Sequence, residues 1–179
     1  MIKAGDCVKF GNYPQDLNEK FLPIEWKVLA IVEGKALLVA VCGIDVRRFD
    51  GKSNEWEGSE LRRWLNDGFK NMAFSSEEQE LIKGEIVVPS WEEAKNLMPN
   101  SGYFVRKCNP TPWAKAKGAV TYGGRCFWWT RNKPTGLWND VNVIGSDGGC
   151  YQRCCRAETY CVRPLIRVSA EGLKSDGKI

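Results

Sequence analysis

The run IEWKVLAIVEGKALLVAVC, Ile24–Cys42, constrains the fold more than any other stretch of the chain. Two segments rich in β-branched, aliphatic and aromatic residues flank Glu33-Gly34-Lys35. A joint that short, with a glycine in it, returns the chain on itself as an antiparallel hairpin. The longest apolar run inside it, ALLVAVC, has the length of a strand and falls far short of a bilayer span.

Other strands read outward from this hairpin. CVKFGNYPQ predicts a short strand ending in a Gly11-Asn12/Pro14 turn, and GIDVRRFDGKSNEWEG reads as a polar loop. Three helices follow. In WEGSELRRWLNDGF, Leu61, Trp64, Leu65 and Phe69 share one helical face, and Asn66-Asp67-Gly68 predicts the end of the helix. SSEEQELIKG opens with Ser75 and carries Glu78 three residues on, a capping box, and stops at Gly84. SWEEAKNLMP repeats the device with Ser90 and Glu93 and closes at Pro99.

Beyond these, NPTPWAKAKGAVTYGG reads as loop, RCFWWTR as a strand and DVNVIGSDGG as a strand entering an Asp147-Gly148 turn. YCVRPLIRV is the last strand, and the tail SAEGLKSDGKI is polar and expected to fray. Alternation places Trp128 and Trp129 on opposite faces, one buried and one open to solvent. The fold class is α+β, with strands first and last and helices between. Residues 1–168 form one domain and 169–179 a polar tail.

The 179 residues contain no histidine. That excludes Ser-His-Asp and Cys-His catalysis, His-ligated zinc and an imidazole switch near neutral pH. The net charge of +4 is scattered, with no basic run beyond two Arg-Arg pairs, so nucleic acid is not an expected partner. The N-terminal segment MIKAGDCVKFGNYPQ has no apolar run of signal-peptide length, and membrane insertion is not expected. Eight cysteines without such a signal point to free thiols or metal binding rather than a disulfide scaffold.

Four of those cysteines crowd into GGCYQRCCRAETYC, Gly148–Cys161. Their C-x3-C-C-x5-C spacing has no C-x2-C knuckle, and adjacent Cys154 and Cys155 point apart in an extended chain. A zinc or redox centre is therefore disfavoured, and neither metal nor cofactor is expected. Two readings stand for these thiols: small buried hydrophobes, or surface residues not chosen for chemistry. Trp138, between Gly136 and Asn139, reads either as a binding residue or as a packed loop anchor. The tripeptide Trp138-Asn139-Asp140 matches the calcium-binding segment of C-type lectins, although Lys133 beside Pro134 opposes a cation there.

The segments FGNYPQ, IEWKVLAI, WEGSELRRWLN, FWWTR and YCVRPLIRV stand in the order found in an uncharacterised microbial domain family, over Gly11 to Val168. One departure is WWTRN, where the family pattern reads W-L-R-S. Members of that family resemble the C-type-lectin fold in the broad sense that includes formylglycine-generating-enzyme-like proteins. The resemblance implies small antiparallel sheets with short helices packed on them and long C-terminal loops.

Such folds also serve as the variable proteins of diversity-generating retroelements, whose mutagenic reverse transcriptase scrambles adenines. An AAC codon scrambled in this way reaches every residue type but Trp, Lys, Glu, Gln and Met. In the cysteine-rich window only Gln152 and Glu158 fall outside that set.

The resemblance implies a non-enzymatic receptor or adhesion protein with a variable region at about 128–161, expected to meet a protein ligand on a cell or virion surface. Trp138, Asn139, Asn142, Tyr151, Arg153, Cys155, Arg156, Thr159 and Tyr160 are the expected ligand-binding residues; Tyr and Arg commonly anchor interfaces. The alternatives are a formylglycine-generating-enzyme-like oxidoreductase using cysteines, and a calcium-dependent sugar-binding lectin using Asn139 and Asp140.

Overall fold

The computed structural model describes residues 2–98 and 106–173. Along the chain, β1 (Cys7–Pro14), β2 (Phe21–Val32), β3 (Lys35–Ala40) and β4 (Asp45–Val46) precede the helices α1 (Glu60–Trp64), α2 (Lys70–Ala73), α3 (Ser76–Leu81), α4 (Trp91–Leu97) and α5 (Pro112–Ala116). Then come β5 (Thr121–Tyr122), β6 (Arg125–Cys126), β7 (Trp128–Trp129), β8 (Asp140–Ile144), β9 (Cys150–Cys154), β10 (Cys161–Val162) and β11 (Leu165–Ser169). The fold is α+β with mostly antiparallel sheets. One sheet runs β1-β2-β3-β11 and a second runs β4-β10-β7-β8-β9, while β5 and β6 pair alone.

The expected hairpin is β2–β3. Val32 pairs with Lys35, and both intervening residues, Glu33 (φ 50°) and Gly34 (φ 71°), are left-handed as a tight twisted hairpin turn requires. Its inward side chains Ile24, Trp26, Val28, Ala36, Leu38 and Ala40 are fully buried.

The Gly11-Asn12/Pro14 turn is not formed. β1 continues to Pro14 through a bulge, with Gly11 at φ 69° and Phe74 so near that an added Cβ would sit 2.5 Å from its ring.

Both capping boxes are present, at Ser75/Glu78 and Ser90/Glu93. Pro99 lies outside the described residues. The helix begun at Glu60 does not end at Asn66-Asp67-Gly68. It widens into a π-helical turn, Leu65–Phe69, and resumes as α2. Burial of Leu61, Leu65 and Phe69 drives this continuation, and the Asn66 amide donates to the Arg62 and Ile86 carbonyls instead of capping. The segment read as loop after Asn109 contains α5, capped by Thr111 with Pro112 at its first position.

Trp128 and Trp129 do point to opposite faces, but both are fully buried, because the second sheet is covered on both sides. Each indole N–H reaches a carbonyl 2.8 Å away, Trp128 to Arg106 and Trp129 to Arg47. The last strand is broken at Arg163-Pro164. Its first half, β10, lies between β4 and β7, and its second half, β11, joins β3 in the other sheet.

Arg163 sits at the crossing, only 2% exposed, its Nε donating to the Ala40 carbonyl at 2.8 Å and its guanidinium 5.1 Å over Trp128. The chain stays packed past Val168: β11 runs to Ser169, and Leu173 is buried. Residues 174–179 of the expected tail lie outside the described residues.

Candidate binding surface

The cysteine-rich window divides at Cys154. Its first part is β9, the outer strand of the second sheet, paired antiparallel to β8 from Asp140↔Cys154 to Ile144↔Cys150. Its second part folds back over the loop after β4. There the Cys155 carbonyl accepts from Phe49 and Asp50 N–H at 2.9 and 3.1 Å, and the Arg156 Nε donates to the Gly51 carbonyl at 3.0 Å.

Between β7 and β8 a loop lifts Trp138 into solvent, 86% exposed, with Leu137 at 41% beside it. The loop is pinned from below. Buried Asn54 donates to the Leu137 carbonyl at 2.7 Å and the Asp140 carbonyl at 3.0 Å. Lys133 pairs with Glu55 at its flank. A cavity of about 480 Å³ opens here, lined by Asn54, Glu55, Lys133, Pro134, Leu137 and Trp138. Its apolar rim and few fixed polar groups are the usual makings of a recognition pocket.

The expected binding residues separate by location. Trp138, Asn139, Tyr151, Arg156 and Thr159 are exposed, and Asn142 and Arg153 are half-buried. Tyr151 bridges the strand and its turn, its hydroxyl donating to the Asp147 carboxylate at 2.6 Å. That bond raises the Tyr151 pKa and lowers that of Asp147. The Arg153 guanidinium stands 5.6 Å from the Tyr151 ring.

Cys155 is a correction: it is fully buried in the main core and lines no surface. Alternation aimed it away from exposed Cys154, toward the protein. Tyr160 is half-buried, edge-on to Trp129 at 5.0 Å, and is part of the packing.

Three other cysteines, Cys108, Cys126 and Cys161, are buried. Cys108 and Cys126 face each other with sulfurs 3.5 Å apart, and Cys161 packs against the same spot. A Cβ added at Gly43 would meet the Cys161 and Cys126 sulfurs at 2.9 and 3.0 Å. Burial, followed by the bond to Cys126, pushes the Cys108 thiol up. The bond from Cys108 lowers Cys126, but its bond to Cys161 and burial outweigh it. Cys42 nearby is pushed up to about 11, mainly by burial. The Cys42, Cys108 and Cys126 thiols are protonated near neutral pH, and the buried sulfurs fill space as small hydrophobes. Among the described residues no three Cys, Asp or Glu side chains are placed to hold a metal ion.

A second cleft lies in the segment that the sequence presents as a polar loop. Asp45 is fully buried, accepting from Tyr13 Oη at 2.6 Å and the Val46 N–H at 2.7 Å and pairing with Lys117; Arg47 Nε stands 3.6 Å away. Burial and then the Asp45 charge raise the Tyr13 hydroxyl far above the ordinary tyrosine range, so it remains a donor. Arg47 lies 4.1 Å over Trp64, and Arg48 grips Glu60 with two bonds of 2.7 and 3.1 Å. A cavity of about 420 Å³ opens between Arg47, Arg48, Glu60, Trp64, Lys117 and Glu158. The only sequence signal for it is the alternation of Ile44, Asp45 and Val46, too short to reveal a strand that buries its carboxylate.

A family model described as a domain of unknown function, DUF6273, matches residues 33–108, a little under half of the chain. The match runs from the β2–β3 turn past α4 and ends before α5, the Trp138 loop and β9. No curated protein and no solved structure matches the chain.

Proposed function

We propose that this chain is a non-enzymatic recognition protein of C-type-lectin-like fold, whose Trp138 loop and β9 face bind a protein ligand and are diversified by a retroelement. The observation that carries the reading is Trp138 itself. A tryptophan left 86% exposed beside a cavity, on a loop fixed from beneath by buried Asn54, is a rigid aromatic anchor presented outward. Tyr151, Arg153 and Arg156 add the side chains that favour interfaces.

The architecture supports tolerance to variation. β11 closes the first sheet against β3, so the segment between is tied at both ends, and Trp138, Asn139, Tyr151 and Thr159 project from it without filling the core. Cys155 and Tyr160 leave the set of ligand contacts, as buried and packed positions do not vary freely.

Sequencing the 3′ end of the gene and its downstream flank from many clones of one source population tests the proposal. Codons for exposed residues within 132–160 are expected to vary, except Lys133, Trp138, Gln152 and Glu158, whose residue types lie outside the scrambled set. A nearby near-repeat is expected to differ opposite adenines, with codon 155 confined to small apolar residues. An invariant stretch with no template copy would overturn diversification.

A further inference from the structure

We propose that β9 pairs edge to edge with β9 of a second copy of this chain, antiparallel and centred on Gln152. The interaction rests on the backbone of the strand and shares the Tyr151 and Arg153 side chains with the proposed ligand surface.

The hydrogen-bond pattern of β8 fixes which groups of β9 face outward. Asn142 N–H donates to the Asn132 carbonyl, and the Asn142 carbonyl accepts from Thr130 N–H, both at 2.9 Å. Asn142 therefore bonds away from β9, and its partner Gln152 is a non-hydrogen-bonded pair across the ladder. By the same alternation Tyr151 and Arg153 bond inward to β8, while the N–H and C=O groups of Cys150, Gln152 and Cys154 point away from β8, the Cys154 carbonyl accepting from Ala157 N–H at 3.0 Å in the turn that follows. Among the described residues no strand covers that edge. The strand is short and carries one charge, Arg153, but Cys150–Cys154 holds neither lysine nor proline and its register with β8 is unbroken.

The residues select the occupant. CYQRC is self-complementary about its centre. Antiparallel pairing on a twofold axis at Gln152 sets each Gln152 against its counterpart, each Cys150 against Cys154 of the second copy, and each Tyr151 against Arg153 of the second copy. All outward backbone groups of the strand then pair in three hydrogen-bonded steps. The side chains match as well: Arg153 already stacks on its own Tyr151 ring at 5.6 Å, and the pairing offers it the same contact on the ring of the second copy. Two contacts must yield or be shared: the bond from Arg153 Nη1 to the outward Gln152 carbonyl at 2.7 Å, and that from Ala157 N–H to the outward Cys154 carbonyl at 3.0 Å. The product is one continuous sheet through two copies, an isologous interface.

Light scattering after size exclusion, on the full chain in reductant over a dilution series, is expected to show a reversible monomer–dimer equilibrium. Gln152→Pro removes an outward N–H and no bond to β8, so it is expected to abolish the dimer while the melting temperature holds.

The register is tested by trapping with oxidised glutathione, which takes two hydrogens from two thiols to give one disulfide and two molecules of reduced glutathione. Opposed residues of a hydrogen-bonded antiparallel pair lie about 5.5 Å apart at Cα, within disulfide reach. Cys150→Ser and Cys154→Ser are each expected to lose the wild-type covalent dimer, and an equimolar mixture of the two to regain it. A wild-type chain that stays monomeric, or single variants that cross-link as well as wild type, would overturn the proposal. Loss of ligand binding with the dimer intact would bear on the Trp138 surface and leave this one standing.

Discussion

In the first sheet β2 alone runs twelve residues and meets a partner on each side. In the second, β4, β7 and β10 have two residues each. Both sheets contribute fully buried residues to the core, yet they are held differently. Long ladders carry the first. The second is assembled by side chains that reach across to backbone carbonyls: Trp129 to Arg47, Trp128 to Arg106, Asn54 to Leu137 and Asp140, and Arg163 to Ala40. A two-residue strand has too few ladder bonds to fix its own position, so tertiary contacts must fix it. The second sheet is therefore the one whose integrity depends on individual side chains, and its outer strand is where the candidate binding surface stands.

The largest effect expected from this contrast comes from Trp129→Ala, which empties a fully buried site in the second sheet and should lower stability by about 3–5 kcal/mol in chemical denaturation. The milder Trp129→Phe keeps the packing but strands the Arg47 carbonyl, at about 1–3 kcal/mol. Under Trp129→Phe, amide exchange is expected to quicken in β4 and β10 and not in β2 and β3. Equal loosening of both sheets would break the distinction.

Next comes Gly43→Ala. The new Cβ would lie 2.6 Å from that of Cys161, an overpacking expected to cost about 1–3 kcal/mol. Thiol titration reads the same place. In the intact protein exposed Cys154 is expected to react first, with Cys108, Cys126, Cys155 and Cys161 silent until unfolding. In Gly43→Ala the Cys126 and Cys161 thiols should be the next to open. Unchanged reactivity and melting would mean that the sulfurs give way freely.

A smaller effect is expected from acid. Burial raises the pKa of Glu93, but bonds from Arg131 and the Ser90 N–H outweigh it and hold the carboxyl below its ordinary value of 4.5. The unfolded chain thus takes up the proton at higher pH than the folded one. The stabilisation is full above about pH 4.5 and is lost as pH falls through the lower folded value. Glu93→Gln should flatten the melting temperature against pH in that window, and an unaltered slope would assign the acid sensitivity elsewhere.

The smallest effect belongs to the surface. Trp138→Ala, Tyr151→Ala and Arg156→Ala should each change stability by no more than about 0.5 kcal/mol. Adding Tyr160→Ala is expected to cost more, because its ring packs on Trp129. A cooperative loss of stability from the first three would place them in the structure and remove them from the binding surface.

The chain's own pattern was informative wherever the physics is local. The hairpin turn at Glu33-Gly34 and the two capping boxes lie within a few residues of sequence, and all three form as expected. The helix after Ser59 shows where local signals fail. Asn66-Asp67-Gly68 carries stop residues, but Phe69 has a hydrophobic site waiting, and a π-helical turn accommodates both. Trp138 could be singled out from its loop setting, whereas Cys155 could not be told from Cys154. Which of two adjacent side chains turns inward depends on the sheet beneath them.

By itself, then, the sequence determined the strands long enough to carry their own apolar period, the helix starts that cap themselves, and the exclusion of imidazole chemistry. Tertiary structure alone decided that both Trp128 and Trp129 are buried, that one C-terminal segment divides between two sheets at Arg163, that Asp45 is buried against Tyr13 and Lys117, and that β9 is the outer strand of the second sheet among the described residues. The reason is physical. A ladder bond or a buried carboxylate is made with a partner distant in the chain, and no window of sequence contains both ends of it.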